Sequence, residues 1–157
     1  STTGANDPSL GAGLAGGRGC VHPRSSRAPD CLPAPPGVEV LLLGSLECTI
    51  LNTLEAALRR DGWPTVRIRE SSELQRVSAR HKAVVVVRTP EAGSALNVLA
   101  ALERRRHSAM VIVVVDRAEP GEYYCLAQAG AVAYFEVSED PALIVQGIEW
   151  AAHVLAP

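Results

Sequence analysis

The stretch VVVVRTP occupies residues 84–90, near the middle of a chain of 157 residues. Valine is β-branched and favours extended backbone, and successive side chains of a strand point to opposite faces of the sheet. Valine on both faces predicts a strand that is buried on both sides, as in a parallel sheet covered by helices. Arg88 then lies at the carboxyl end of this strand, where parallel sheets commonly place their functional sites.

The same strand-then-helix pattern occurs five times along the chain. Helical periodicity, proline at helix starts and glycine at helix ends separate the apolar stretches from one another. The predicted strands are residues 38–43, 65–70, 83–87, 110–115 and 131–137. The predicted helices are residues 50–60, 72–80, 89–106, 120–129 and 140–153, the second opened by a capping box at Ser72 and Gln75.

The character of the five strands predicts their order. Strands one, three and four are almost wholly apolar, which is typical of central strands, whereas strand two alternates and strand five carries Glu136. Right-handed βαβ connections then give a doubly wound α/β sheet of the flavodoxin-like, CheY-like type, with strand order 2-1-3-4-5. Any functional crevice is expected at the carboxyl ends of strands one and three.

Length and composition predict one globular domain preceded by an extension. Residues 1–37 are rich in Gly, Ser, Ala and Pro and are expected to be disordered, whereas residues 38–157 form the domain. Net charge is −2, so bulk charge does not predict nucleic-acid binding. There is no apolar run of the roughly 20 residues that cross a bilayer and no signal-peptide pattern, so we expect no membrane association and a cytoplasmic location.

The four cysteines have no framework spacing and suit a reducing compartment. Cys20, His22 and Cys31 could supply three zinc ligands, but their spacing matches no common site and a fourth ligand is missing. Histidines are scattered, and no Cys-His or Ser-His-Asp grouping is apparent at the predicted rim of the sheet. We therefore expect no metal, no cofactor and no enzymatic activity.

The order and spacing of several motifs resemble response-regulator receiver domains over residues 38–157. The motif AQAGA at residues 127–131 leads into the fifth strand, Tyr134 follows it, and Asp140-Pro141 opens the last helix. The ending IEWAAHVLAP, residues 148–157, is similar to the last receiver helix and linker of LuxR/NarL-type transcription factors of two-component systems. The resemblance implies a homodimer and a helix-turn-helix DNA-binding domain beyond residue 157.

The residues that carry receiver chemistry are nevertheless replaced. The resemblance places an aspartate that accepts the phosphoryl group after strand three, two Mg²⁺-binding acids after strand one, a hydroxyl after strand four and a lysine after strand five. The corresponding residues here are Arg88, the pair Gly44 and Ser45, Asp116, and Val137. A guanidinium neither accepts a phosphoryl group nor tolerates a neighbouring Mg²⁺, so we predict an atypical receiver that is independent of phosphorylation.

Two interpretations of Arg88 stay open. Because Arg88 and Asp116 end neighbouring strands, they are expected to form an ion pair, which could replace the metal and phosphate and hold the rim in one state. Alternatively Arg88 binds an anionic small molecule in the crevice. In the first case the function is regulatory, as a dimerisation or partner-binding module; in the second the domain senses a metabolite.

Four aromatic residues could take part in switching or binding. Tyr134 matches the switch aromatic of receivers, although without a phosphate we expect it to be a packed residue of the edge strand. Tyr123, Tyr124 and Trp150 lie on the last two predicted helices and are candidate interface residues. About half of these three are expected to lie in the core.

Overall fold

A computed structural model of the chain describes residues 33–76, 82–90, 92–103 and 108–156. Within these residues, five strands alternate with four α-helices and one short 3₁₀-helix. The strands are β1 Val38–Leu43, β2 Thr65–Ile68, β3 Lys82–Arg88, β4 Ala109–Val115 and β5 Ala131–Glu136. The α-helices are α1 Thr49–Arg60, α2 Ala92–Ala101, α3 Pro120–Gln128 and α4 Pro141–Leu155, and the 3₁₀-helix is Ser71–Arg76.

The five strands form one parallel sheet in the order β2-β1-β3-β4-β5. This confirms the predicted doubly wound topology. Within β3, Val85 lies opposite Leu41 of β1 and Val111 of β4, so the valine run is the centre of the sheet. β2 and β5 are the edge strands, as their sequences predict.

Hydrophobic cores cover both faces of the sheet. Val84 and Val86 point to the face covered by α1 and α4, while Val85 and Val87 point to the face covered by α2 and α3. All four valines are fully buried. Burial on both sides therefore explains why this stretch is valine throughout rather than alternating.

The second predicted helix is wrong in type. The segment Ser71–Arg76 is a 3₁₀-helix, and residues 77–81 lie outside the described residues. The carboxylate of Glu73 accepts hydrogen bonds from the N–H groups of Arg69 and Glu70. Among residues 71–74, Leu74 alone is buried, and a single turn is enough to bring it to the core.

Other element ends match the prediction or differ from it by a few residues. The α2 helix begins at Ala92, beyond the predicted start at residues 89–90, and ends at Ala101, while residues 104–107 lie outside the described part. β5 ends one residue before the predicted Val137. Gly130 follows α3 with a left-handed φ of 117°, and the Asp140 carboxylate caps α4 by accepting from the Ala142 N–H.

The described chain starts within the predicted extension. Residues 1–32, which include Cys20, His22 and Cys31, lie outside the described residues, as does Pro157. Ala34 packs against the core formed with α1 and α4, and the carbonyl oxygen of Pro33 lies 3.2 Å from Nε2 of His153. β1 begins at Val38, where the composition of the sequence changes.

Candidate functional site

The main chain brings Arg88 and Asp116 together at the carboxyl rim of the sheet. Arg88 is the last residue of β3, and Asp116 immediately follows β4. The N–H of Thr89 donates to the carbonyl of Val114 at 3.1 Å, and the N–H of Asp116 donates to the carbonyl of Pro90 at 3.2 Å. These two bonds keep the segments that leave β3 and β4 side by side.

Arg88 and Asp116 form the predicted ion pair. Nη2 of Arg88 donates to Oδ1 of Asp116, and Nη1 donates to the carbonyl of Thr89. The Arg88 side chain is 17% exposed, whereas that of Asp116 is 56% exposed. Nε of Arg88 is buried and has no hydrogen-bond partner among the described residues. The guanidinium is therefore held in a largely buried position, with its Nε–H group unpaired among the described residues.

Gly44 leaves no space for a side chain at the end of β1. A Cβ there would lie 2.6 Å from Cδ1 of Leu51 and 3.2 Å from Cβ of Arg88. Leu51 is fully buried in the core, so it has little freedom to move away. Ser45 is exposed, and its hydroxyl accepts a hydrogen bond from the N–H of Glu47. These two residues supply no carboxylate to the rim.

A cleft of about 450 Å³ opens at the ends of β1 and β3, at the predicted crevice. Arg88 forms one part of its lining and the first turn of α1 another. The side chain of Cys48 makes no capping hydrogen bond, so the first N–H groups of α1 have no side-chain acceptor from this residue. The lining residues are Ser45, Glu47, Cys48, Thr49, Ile50, Arg88, Pro90 and Val137.

Val137 and Glu136 occupy the end of β5. Val137 packs against the core, and its N–H donates to the carbonyl of Val115 at 2.8 Å. A role for Glu136 at the rim is not predicted from the sequence. Its carboxylate accepts from the Ala118 N–H at 3.0 Å and from the Ser138 hydroxyl at 2.9 Å. The bond from Ala118 is the main reason that the pKa of Glu136 lies below its ordinary value.

Arg67 is a second rim residue that sequence reasoning missed. Its side chain is 10% exposed and reaches from β2 to the loop after β1, where Nη2 donates to the carbonyl of Ser45 at 2.6 Å. Nη1 contacts Oδ1 of Asn52 and lies 3.3 Å from Oε1 of Glu55. Arg67 thus ties the loop that lines the cleft to both β2 and α1. Strands one and two are neighbours in the predicted order. This adjacency could have suggested that a long side chain on strand two, such as Arg67, reaches the loop after strand one.

Tyr134 is half-buried on β5 and connects this strand to α3. Its hydroxyl donates to Oε1 of Glu122 at 2.6 Å, and its ring stacks on that of Tyr123 with centroids 6.4 Å apart. Burial, together with the hydrogen bond to the Glu122 carboxylate, raises the pKa of Tyr134 from 10.0 to about 12. The phenol is therefore a packed, hydrogen-bonded group.

This raised pKa predicts an alkaline-pH dependence of stability. Because the folded-state pKa is above the unfolded value, the contribution of Tyr134 to stability is present below pH 10 and is lost as the pH rises through about 12. Subtracting the near-ultraviolet tyrosinate titration of Tyr134→Phe from that of the wild type should give a curve with its midpoint near 12. A midpoint near 10 would contradict the hydrogen-bonded, buried state.

The three candidate interface aromatics are all exposed. Tyr123, Tyr124 and Trp150 are 42%, 71% and 55% exposed, so the expectation that about half of them lie in the core is wrong. α3 buries Leu126 and α4 buries residues such as Ile144 and Ile148. In each helix these aliphatic side chains fill the core, which leaves the aromatic residues on the outer side.

The described residues contain neither a cluster of metal ligands nor a helix suited to crossing a bilayer. Among them no cluster of three or more His, Cys, Asp or Glu side chains is arranged to hold a metal ion. None of the described helices is both long and apolar enough to cross a bilayer. The chemical features of the rim are therefore the ion pair, the cleft and the bonds that fix the surrounding loops.

Comparison with solved structures relates this geometry to known proteins. No protein-family model matches the sequence, and no curated protein sequence matches it either. A CheY-like receiver domain from Methanospirillum hungatei JF-1 superposes with a TM-score of 0.61 at 16% identity, covering 75% of this chain and 96% of that one. The signal receiver domain of a response regulator named NarL, from Mycobacterium tuberculosis, superposes with a TM-score of 0.58 at 19% identity, with 75% and 98% covered.

A third similar structure contains phosphorylated aspartate. This response regulator from Burkholderia pseudomallei, solved with a phosphorylated aspartic acid, a calcium ion and citrate, has a TM-score of 0.59 at 18% identity, covering 74% of this chain and 69% of that one. Similarities at this level of identity establish the fold. The described part of the chain therefore has the fold of response-regulator receiver domains.

Proposed function

We propose that the chain is a regulatory receiver-type module whose state is not set by aspartate phosphorylation. The observation that carries this proposal is the Arg88–Asp116 ion pair at the end of β3. Phosphoryl transfer to a receiver requires a carboxylate nucleophile and a Mg²⁺ ion held by oxygen ligands. A guanidinium at the acceptor position cannot supply the nucleophile, and its fixed positive charge opposes the metal.

The remaining rim residues support the same proposal. A side chain at Gly44 would clash with Leu51 and Arg88, so this backbone leaves no room for a carboxylate there, and Ser45 provides a hydroxyl rather than a carboxylate. Val137 is an aliphatic residue packed on the core, so it offers no cation for a phosphate. Each part of the phosphorylation chemistry is therefore replaced, and the ion pair supplies a permanent link between β3 and β4.

The resemblance to LuxR/NarL-type regulators gives this module a context. We propose that it acts in the cytoplasm as the dimerisation and partner-binding part of a transcriptional regulator, with a helix-turn-helix DNA-binding domain following residue 157. Its output would depend on partner contacts rather than on catalysis.

A small-molecule phosphodonor tests the proposal. Incubation with acetyl phosphate and Mg²⁺ should leave the intact mass of the protein unchanged, because Arg88 replaces the acceptor and the rim residues Gly44 and Ser45 hold no metal. The variant Arg88→Asp should also remain unmodified, since Gly44 and Ser45 still supply no metal ligand. A phosphorylated adduct that maps to the rim of the wild-type protein would overturn the proposal.

A second candidate function is the sensing of an anionic metabolite in the cleft. Two observations favour it: Nε of Arg88 is a buried donor without a partner, and the uncapped first turn of α1 lines the same cleft. A thermal-shift screen with carboxylate and phenolate compounds tests this function. A hit that stabilises the wild type and not Arg88→Ala would support it, and a hit unaffected by that substitution would exclude Arg88 as its site.

A further inference from the structure

We infer that the cleft beside Arg88 selects a small monocarboxylate with an apolar body, such as a substituted benzoate, over phosphate or a dicarboxylate. This inference rests on the second function proposed above, the sensing of an anionic metabolite, and names the class of ligand. Three features of the cleft lining carry it: main-chain donors beside a cation, apolar side chains, and an opposing carboxylate.

The start of α1 presents main-chain donors to the cleft. The first backbone bond into this helix runs from the N–H of Asn52 to the carbonyl of Cys48 at 3.0 Å. The N–H groups of Thr49 and Ile50 precede it and have no acceptor within the helix. Cys48 makes no side-chain cap, and the first turn contains no acidic residue. Because Thr49 and Ile50 line the cleft, a ligand carboxylate could accept from them as a capping residue does.

Arg88 supplies the positive charge. Among the described residues that line the cleft it is the single cation, and its Nε is buried without a hydrogen-bond partner among them. Asp116 pairs with Nη2 of Arg88 but is not one of the lining residues, so its carboxylate does not fill the space that a ligand would take. A hydrogen bond from a largely buried guanidinium to a carboxylate is stronger than one between neutral groups.

The remaining lining limits the charge of the ligand and favours an apolar body. Ile50, Pro90 and Val137 present aliphatic carbon to the cleft, whose volume of about 450 Å³ has room for an aromatic ring. Glu47 also lines it, so the lining carries one carboxylate against one guanidinium. A second negative charge on the ligand would face Glu47 with no further cation among the described lining residues to offset it.

An amide-resolved NMR titration of the full chain with four compounds tests the inference. The compounds are 4-methylbenzoate, the dicarboxylate terephthalate, the uncharged 4-methylbenzamide and inorganic phosphate. We expect 4-methylbenzoate to shift the amide signals of Thr49 and Ile50 saturably, with a dissociation constant at least about 10-fold below those of the other three. The single carboxylate separates it from the amide and from terephthalate, and the apolar ring separates it from phosphate.

A capping variant separates binding from stability. The backbone of Cys48 is extended, with φ −69° and ψ 115°, so Cys48→Asp should place a carboxylate on the first N–H groups of α1. We expect this variant to raise Tm by about 3 °C and to weaken binding of 4-methylbenzoate at least about 10-fold. The matched control is Glu119→Asp, at the uncapped start of α3 and not in the cleft lining, which should raise Tm and leave the affinity unchanged.

The charge of Glu47 gives a separate test of selectivity. Glu47→Gln removes the carboxylate that opposes a second ligand charge, so the affinity for terephthalate should rise about 10-fold and that for 4-methylbenzoate by about 3-fold or less. Equal changes for the two compounds would contradict the role given to Glu47 in selecting a single charge.

The outcomes distinguish this inference from the function on which it rests. Tighter binding of phosphate or terephthalate than of 4-methylbenzoate at the same amides would overturn the inference and leave the sensing of an anion intact. Shifts that persist in Cys48→Asp would place the ligand elsewhere and also overturn the inference. No saturable shift with any of the four compounds would overturn both the inference and the sensing function, while the phosphodonor result would stand separately.

Discussion

Replacing Gly44 with alanine is expected to lower the free energy of unfolding by about 1–3 kcal/mol. A Cβ at this position would lie 2.6 Å from Cδ1 of Leu51, so either the core or the end of β1 must move. The contact of 3.2 Å with Cβ of Arg88 adds a second steric conflict at the ion pair. Urea denaturation followed by circular dichroism measures the change.

The matched control is Gly121→Ala on α3. A Cβ at Gly121 would meet nothing within 4 Å, so this change should be neutral or slightly stabilising. If Gly44→Ala were as mild as the control, there would be room at the end of β1 for a side chain. The proposal that packing excludes an acidic side chain from this position would then be wrong, because a carboxylate could be introduced there without cost to packing.

Disrupting the ion pair is expected to have the second large effect. Arg88→Ala should lower the free energy of unfolding by about 2 kcal/mol, since it removes a largely buried side-chain stem and two hydrogen bonds. Asp116→Ala should cost about 1 kcal/mol, because Asp116 is half-exposed but its loss leaves the Arg88 charge without a partner. A double-mutant cycle should give a coupling energy of about 1 kcal/mol between the two side chains.

An exposed arginine provides the control for this cycle. The side chain of Arg60 is 76% exposed and its Nε lies 4.0 Å from Asp61, so Arg60→Ala should change stability by less than about 0.5 kcal/mol. A coupling energy near zero for Arg88 and Asp116 would show that the pair does not link β3 to β4. The proposal that the ion pair holds the rim in one state would then be wrong.

The sheet could be predicted from sequence because burial dictates the strand composition. Val84 to Val87 are apolar on both faces since helices cover both faces, and the edge strand β5 tolerates Glu136 because one of its sides is open. Once the order of the strands was predicted, Arg88 and Asp116 had to end neighbouring strands. Their contact could therefore be predicted from the sequence.

Contacts that depend on long side chains or on packing of the outer surface were harder to predict from the sequence. Arg67 reaches the Ser45 carbonyl and Glu136 reaches the Ala118 N–H, and no sequence spacing encodes either partner. The segment Ser71–Arg76 forms a 3₁₀-helix rather than the predicted α-helix because Glu73 bonds the preceding backbone and Leu74 reaches the core in one turn. Trp150 is exposed because the opposite side of α4 meets the sheet. The sequence does not show which side this is, because α4 carries large apolar residues on both its inner and its outer side.

An amide-resolved NMR titration with beryllium fluoride and Mg²⁺ tests independence from phosphorylation most directly. Beryllium fluoride mimics a phosphoryl group on the acceptor aspartate of a receiver, and a domain with the complete acidic set serves as the positive control. We expect the amide signals of Gly44, Arg88 and Asp116 to remain unchanged, because we propose that Arg88 occupies the acceptor position and because Gly44 and Ser45 offer no carboxylate for the metal. Saturable shifts at these three residues would contradict the proposal that the rim has lost its phosphorylation chemistry.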